Sequence, residues 1–178
     1  MSKGKNFIFI FLIVISWIIF VGLCIEAGGL IVNFIFSLVN PDVVDKLYQK
    51  LDLSDLYQRN RTAYFSMYSF ILVIALLKAY MFYIVIRLVS KLDLSKPFSS
   101  FVSRQISLIS YYTLAIGVLS YIARQSAKNL SHRGFEMNNI EQFWVDSQAF
   151  IIMAAVIYII AVIFKKGIDI QNETDLTV

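Results

Sequence analysis

The chain has 178 residues, 58% of them hydrophobic and only 16% charged, with a mean hydropathy of +0.70 and a formal net charge of +4. A soluble domain carries roughly 25% charged residues, so this composition excludes a soluble globular protein, whose surface would be left too apolar. The positive surplus is spread through the connections and forms no stripe, which reads as membrane flanks and speaks against direct nucleic-acid binding.

Four nearly charge-free runs cover residues 7–39, 63–86, 106–123 and 149–164. Each is near or above the ~18 to 20 residues that a helix needs to cross a ~30 Å hydrocarbon core. A backbone in lipid must satisfy its own hydrogen bonds, and a helix does so within one segment. The chain is therefore expected to be all-α, a polytopic integral membrane protein built as a four-transmembrane-helix bundle. One domain over 1–178 is expected, with spans at about 7–33, 63–87, 105–124 and 147–165 and an extra-membrane amphipathic segment at 40–60.

Lys3 and Lys5 precede the first run as in a signal peptide. The run continues far past the ~7 to 15 residues of a cleavable segment and lacks a small-x-small site, so it reads as an uncleaved signal anchor. Gly22, Glu26, Gly29 and Asn33 share one helical face, expected to look inward. With Gly28 and Gly29 where its outer end should lie, the helix is expected to tilt, kink or project. Cys24 is the only cysteine, which excludes an intramolecular disulfide and a thiolate-rich metal site.

Asn40, Pro41 and Asp42 form a helix start signal. Val43, Val44, Leu47, Tyr48 and Leu51 follow at helical spacing, with Asp42/Lys46 and Asp55/Arg59 as i, i+4 pairs. This predicts an outer amphipathic helix on the bundle mouth or the headgroups, or a lid over an outward pocket. The second span carries Lys78 deep inside. Its two expected fates are snorkelling past Tyr80 and Tyr83 to the inner headgroups, or facing inward against span carbonyls, Tyr111, Tyr112 or Thr113. In the third span Ser103, Ser107, Ser110, Gly117 and Tyr121 follow one face, a packing seam first of all. The sole histidine, His132, reads as a solvated loop residue. Ala154, Tyr158 and Ala161 form the inward stripe of the fourth span.

Four ionised groups, Glu26, Lys78, Arg124 and Asp146, sit at or within span ends. A charge in the bilayer costs about 2.5 to 3.5 kcal/mol on insertion scales, so each needs a partner or water. Counting ~1.5 Å per residue puts Glu26 near the outer boundary, where Arg124 ends the third span and Asp146 opens the fourth. That predicts an outer polar cluster of Glu26, Arg124 and Asp146, with Tyr121, Gln125 and Gln148 as hydrogen-bond partners. The cluster is either glue that fixes helix register or a site for a small ligand or lipid headgroup. The same count leaves Lys78 ~14 Å short of Glu26, so no direct bridge is expected. There is no HExxH, no Walker-type loop, no GxSxG and no acidic metal-binding pair. Catalytic residues, a metal and a cofactor are therefore not expected, and the protein reads as non-enzymatic.

The inner-loop string Lys96, Pro97, Phe98, Ser99 and the ending from Phe164 through Val178 resemble a bacterial four-span membrane family known as a domain of unknown function. Members end in a similar tail, in which Thr174 here stands where Asn is frequent. The resemblance covers most of the chain and implies the bacterial inner membrane. It also implies a small helix-turn-helix regulator, often encoded alongside, as cytoplasmic partner. The basic residues divide eight against seven, and those of the first set abut the spans, notably Lys165 and Lys166, which puts both termini in the cytoplasm. The expected function is thus a membrane sensor or regulatory partner of a transcription regulator. Its inner contacts would be Lys96, Pro97, Phe98, Asp169 and Asp175. The alternative is the binding or transport of a small amphiphile or lipid, as in an immunity-type protein, motivated by the 15% aromatic content. Membrane lipids are partners in either case, and transport would require a homo-oligomer.

Overall fold

The computed structural model describes residues 3–39, 51, 53–92, 97–136 and 140–175. These form α1 (Lys3–Val39), α2 (Ser54–Arg59), α3 (Arg61–Lys91), α4 (Ser100–His132), a 3-10 turn (Ile140–Phe143) and α5 (Ser147–Asp175), with no strand among the described residues. Helices α1, α3, α4 and α5 are long and apolar enough to cross a membrane, and the chain is a multi-pass membrane protein. Of the segment at 40–60, the described helical part is α2; the start signal at Asn40 to Asp42 lies outside the described residues.

Each long helix outruns its apolar core. The 37 residues of α1 pass through Gly28 and Gly29 without a break, a length of about 55 Å against a ~30 Å core. His132 correspondingly closes α4 and is not a loop residue. The helix ends are set by local chemistry. Asn60 Oδ1 accepts from the Ala63 amide, Ser99 Oγ from Val102, and Asp146 Oδ1 from both Gln148 and Ala149, each supplying an acceptor to otherwise unpaired first-turn donors. At the end of α4, Gly134 takes φ 79° while its amide bonds Ser131 and that of Phe135 bonds Leu130, the Schellman pattern.

The helices pack in chain order, α1 along α3, α3 along α4 and α4 along α5. On α1 the covered positions are Phe9, Ile13, Ser16, Phe20, Leu23, Ala27, Leu30, Phe34 and Ser37, alternating by four and three. That 3.5-residue period is the seam of a left-handed supercoil. It overlaps the face expected from Gly22, Glu26, Gly29 and Asn33 in all but Gly22. Gly22 is exposed with open space around it, Glu26 and Gly29 are half-buried flanks, and Asn33 is buried. The most deeply buried positions of α1 are Ser16, Ala27, Leu30, Asn33 and Ser37, all but Leu30 small or polar.

Two tyrosines fix the stagger of α1, Tyr57 from α2 and Tyr68 from α3. Tyr57 Oη donates to the Ser37 carbonyl at 3.1 Å and Tyr68 Oη to that of Leu30 at 3.0 Å. Between α4 and α5 the expected small-residue seam is present. Ser110 Oγ donates to the Ala154 carbonyl at 2.8 Å, Ser103 reaches Ala161, and Gly117 lies against Phe150 and Ile151.

We call the end bearing Asn60 and Arg133 the mouth and the end bearing Phe98 and Gly167 the base. After α4 the chain folds back into the mouth and buries Ile140, Phe143 and Trp144 with Ala27, Leu30, Leu56, Ile74 and Ile116 in the main core. The expected Asp55/Arg59 pair forms at 3.3 Å. It does more than brace α2, because Arg59 Nη1 also donates to the Gly134 carbonyl at 2.7 Å and Asp55 accepts from the Glu136 amide at 3.1 Å. One ion pair thus clamps the α1–α3 connection to the α4–α5 connection.

Candidate functional site

Three places hold polar or tightly constrained side chains. The first is a groove of about 380 Å³ at the mouth between α3 and α4. Asn60, Thr62 and Ser66 line it from the start of α3, and Ser126, Asn129 and Arg133 from the last turns of α4. Ala63, Met67 and Leu130 make its apolar floor. Sequence reading passed over these residues, although the i, i+3, i+7 spacing of Ser126, Asn129 and Arg133 on one helical face was the signal available.

The second place is inside the membrane-spanning region. Lys78 Nζ donates to the Phe143 carbonyl at 3.4 Å, so the ammonium turns toward the folded-back segment and not along Tyr80 and Tyr83. Tyr111, Tyr112 and Thr113 are engaged elsewhere, with Tyr158, Tyr80 and the Ile109 carbonyl respectively. Glu26 stands on the other side of the α1–α3 seam, and no ion pair joins it to Lys78 among the described residues. The expectation that no direct bridge joins Glu26 and Lys78 therefore holds.

The structure does not bring Glu26, Arg124 and Asp146 together. Asp146 is the exposed cap of α5, holding the Gln148 and Ala149 amides. Arg124 is exposed and makes no ion pair among the described residues. Tyr121, Gln125 and Gln148 are exposed as well. The four charges are thus placed separately: Lys78 on a main-chain carbonyl, Glu26 half-buried on α1, Asp146 as a helix cap and the Arg124 guanidinium at the surface.

The third place is the base, where two segments predicted to act together meet. Phe98, just before α4, lies on α5 with its ring 5.3 Å from that of Phe164. It covers Gly167 so closely that a Cβ there would meet the ring at 2.7 Å. The loop before α4 and the helical extension that carries Asp169 are therefore one surface. Lys96 and the side chain of Asp175 lie outside the described residues.

A separate apolar groove of about 340 Å³ opens between α4 and α5, lined by Tyr111, Leu114, Ile151, Ala155 and Tyr158. Comparison with known proteins adds a family and nothing narrower. No curated protein and no solved structure matches the chain. A family model described as a protein of unknown function (DUF2975) matches residues 48–178, a stretch that holds α2 to α5 and leaves α1 outside, and the chain belongs to that family.

Proposed function

We propose that this membrane protein is a non-enzymatic sensor: the mouth receives a cue, and the base passes the change to a cytoplasmic transcription regulator of the helix-turn-helix type. The observation that carries the reading is α4. Its last turns line the mouth groove through Ser126, Asn129 and Arg133, and its first turn follows directly on Phe98, which is seated on Gly167. Whatever draws α3 and α4 together or spreads them at the mouth acts on the base through one unbroken helix of 33 residues. A ligand shifts such an equilibrium only by binding its two states unequally, and a groove between two helices offers that difference. In this reading both termini and the base are cytoplasmic, in a bacterial inner membrane.

The test compares transcripts in cells carrying the wild-type chain, Phe98→Ala, and a chain ended after Lys166. Both variants should shift the same set of transcripts, with the regulator co-purifying with the wild-type chain alone. Unchanged transcripts from variants inserted at wild-type levels would end the proposal. A second reading, binding of an amphiphile, is favoured by the apolar α4–α5 groove between Tyr111 and Tyr158. Photo-crosslinking of an acyl-chain probe to Ala155 in preference to the lipid-facing Ile159 would support it.

A further inference from the structure

The mouth groove has a chemical preference. Its polar lining consists of one guanidinium, two carboxamides and three hydroxyls, with no carboxylate. Every one of these groups donates hydrogen bonds, and the single charge is positive. Asn60 sharpens this, because its carboxamide oxygen is already taken by the Ala63 amide, leaving its NH2 as what it offers a ligand. Three arginines stand at this mouth. Arg59 is held by Asp55, the Gly134 carbonyl and the Phe135 ring, and Arg61 lies over the Tyr57 ring. Arg133 lines the groove.

A groove lined by donors and one guanidinium, with no carboxylate, suits an anionic oxygen cluster, since hydrogen bonds to an ionised acceptor are roughly twice as strong as neutral ones. The volume of about 380 Å³ exceeds what one tetrahedral anion fills and leaves space for an attached organic group over the floor of Ala63, Met67 and Leu130. The groove lies where α3 begins and α4 ends, at the rim of the apolar spans. Phospholipid headgroups occupy that height.

We infer that the groove binds a phosphoryl group, that of an anionic lipid headgroup, with Arg133 as the charged ligand and Asn60 and Asn129 as neutral donors. This gives the cue of the proposed sensor a chemical class and in that respect rests on that reading. Binding is nevertheless measured without reference to transcription, so the two can fail separately.

The full-length protein is reconstituted in nanodiscs of phosphatidylcholine alone or mixed with phosphatidylglycerol, and retained lipid is read by native mass spectrometry, with inorganic phosphate as competitor. Phosphatidylglycerol should be retained over phosphatidylcholine, whose ammonium offsets its phosphate. Arg133→Gln should lower that retention on the order of tenfold. Arg133→Lys should retain most of it, while circular dichroism reports whether each variant is folded. Insensitivity to inorganic phosphate identifies the headgroup as the source; displacement by it supports the phosphoryl site and points to a soluble phosphorylated ligand. Equal retention of both lipids, unaffected by Arg133→Gln and by phosphate, overturns the inference.

Discussion

Gly167→Ala separates loop seating from stability. An alanine Cβ at this position would lie 2.7 Å from Phe98 Cδ1 and 2.8 Å from Cε1, where ordinary carbon contacts are about 3.5 to 4.0 Å. The helix has no reason to yield, because Phe98 is 41% exposed and its ring can swing out. Losing the ring contact with Phe164 costs about 0.5 to 1.5 kcal/mol. Alanine in place of glycine within a helix returns about 0.8 to 1.0 kcal/mol. The two effects nearly cancel, so the unfolding midpoint should stay within a few degrees of wild type while the loop before α4 comes off α5.

Hydrogen-exchange mass spectrometry reads that release as faster exchange across residues 97–103, beyond the Ser99 cap of α4. The double variant Phe98→Ala/Gly167→Ala removes the clash along with the ring, and it should match Phe98→Ala in exchange and be no less stable. Wild-type protection of residues 97–103 in Gly167→Ala would refute the seating. A large fall in the midpoint would show that α5 itself had moved.

Other perturbations address the remaining constraints. Lys78→Met leaves the Phe143 carbonyl without this donor. It should cost about 1 kcal/mol in denaturant titrations, the net worth of one hydrogen bond, and an unchanged midpoint would count against the contact. Asp55→Ala removes the acceptor of the Glu136 amide, which should exchange faster at a cost of about 1 kcal/mol. Arg59→Ala on top of it should add a further loss, because its bond to the Gly134 carbonyl is separate. Gly117→Leu begins with a Cβ only 3.1 Å from both Ile151 Cγ1 and Phe150 Cβ, and it should destabilise by about 1 to 3 kcal/mol as α4 and α5 are wedged apart. A thermal midpoint unchanged by Gly117→Leu would mean that the helices do not meet there.

What the sequence disclosed was whatever a single helix decides alone. Span number follows from apolar length, and the seam of Ser103, Ser110 and Gly117 against Ala154 and Ala161 follows from placing small residues on one face. Asp55 and Arg59 pair because four residues bring them to neighbouring turns. What two segments decide together was hidden. The polar groove needs the start of α3 beside the end of α4, and neither end is unusual by itself. Phe98 on Gly167 needs two segments some 70 residues apart in the chain. On α1 small and polar residues do mark the inward face, at Ser16, Ala27, Asn33 and Ser37, but Gly22 lies off it because the seam steps alternately by four and three.

The charges make the same point in the axial direction. Depth counted from each run's own boundary assumes that all helices begin and end at one plane, but an α-helix whose polar ends carry no breaker continues into water, and its neighbour can bond it at any register. Here two phenol hydroxyls choose the register, Tyr57 on Ser37 and Tyr68 on Leu30. Sliding α1 by one turn, about 5.4 Å, would break both. Tyr57 from α2 and Tyr68 from α3 therefore favour one stagger of α1 by satisfying two of its carbonyls. A second polar group that agrees with the first is what makes a helix position unique in lipid, where apolar contact alone leaves neighbouring registers close in energy.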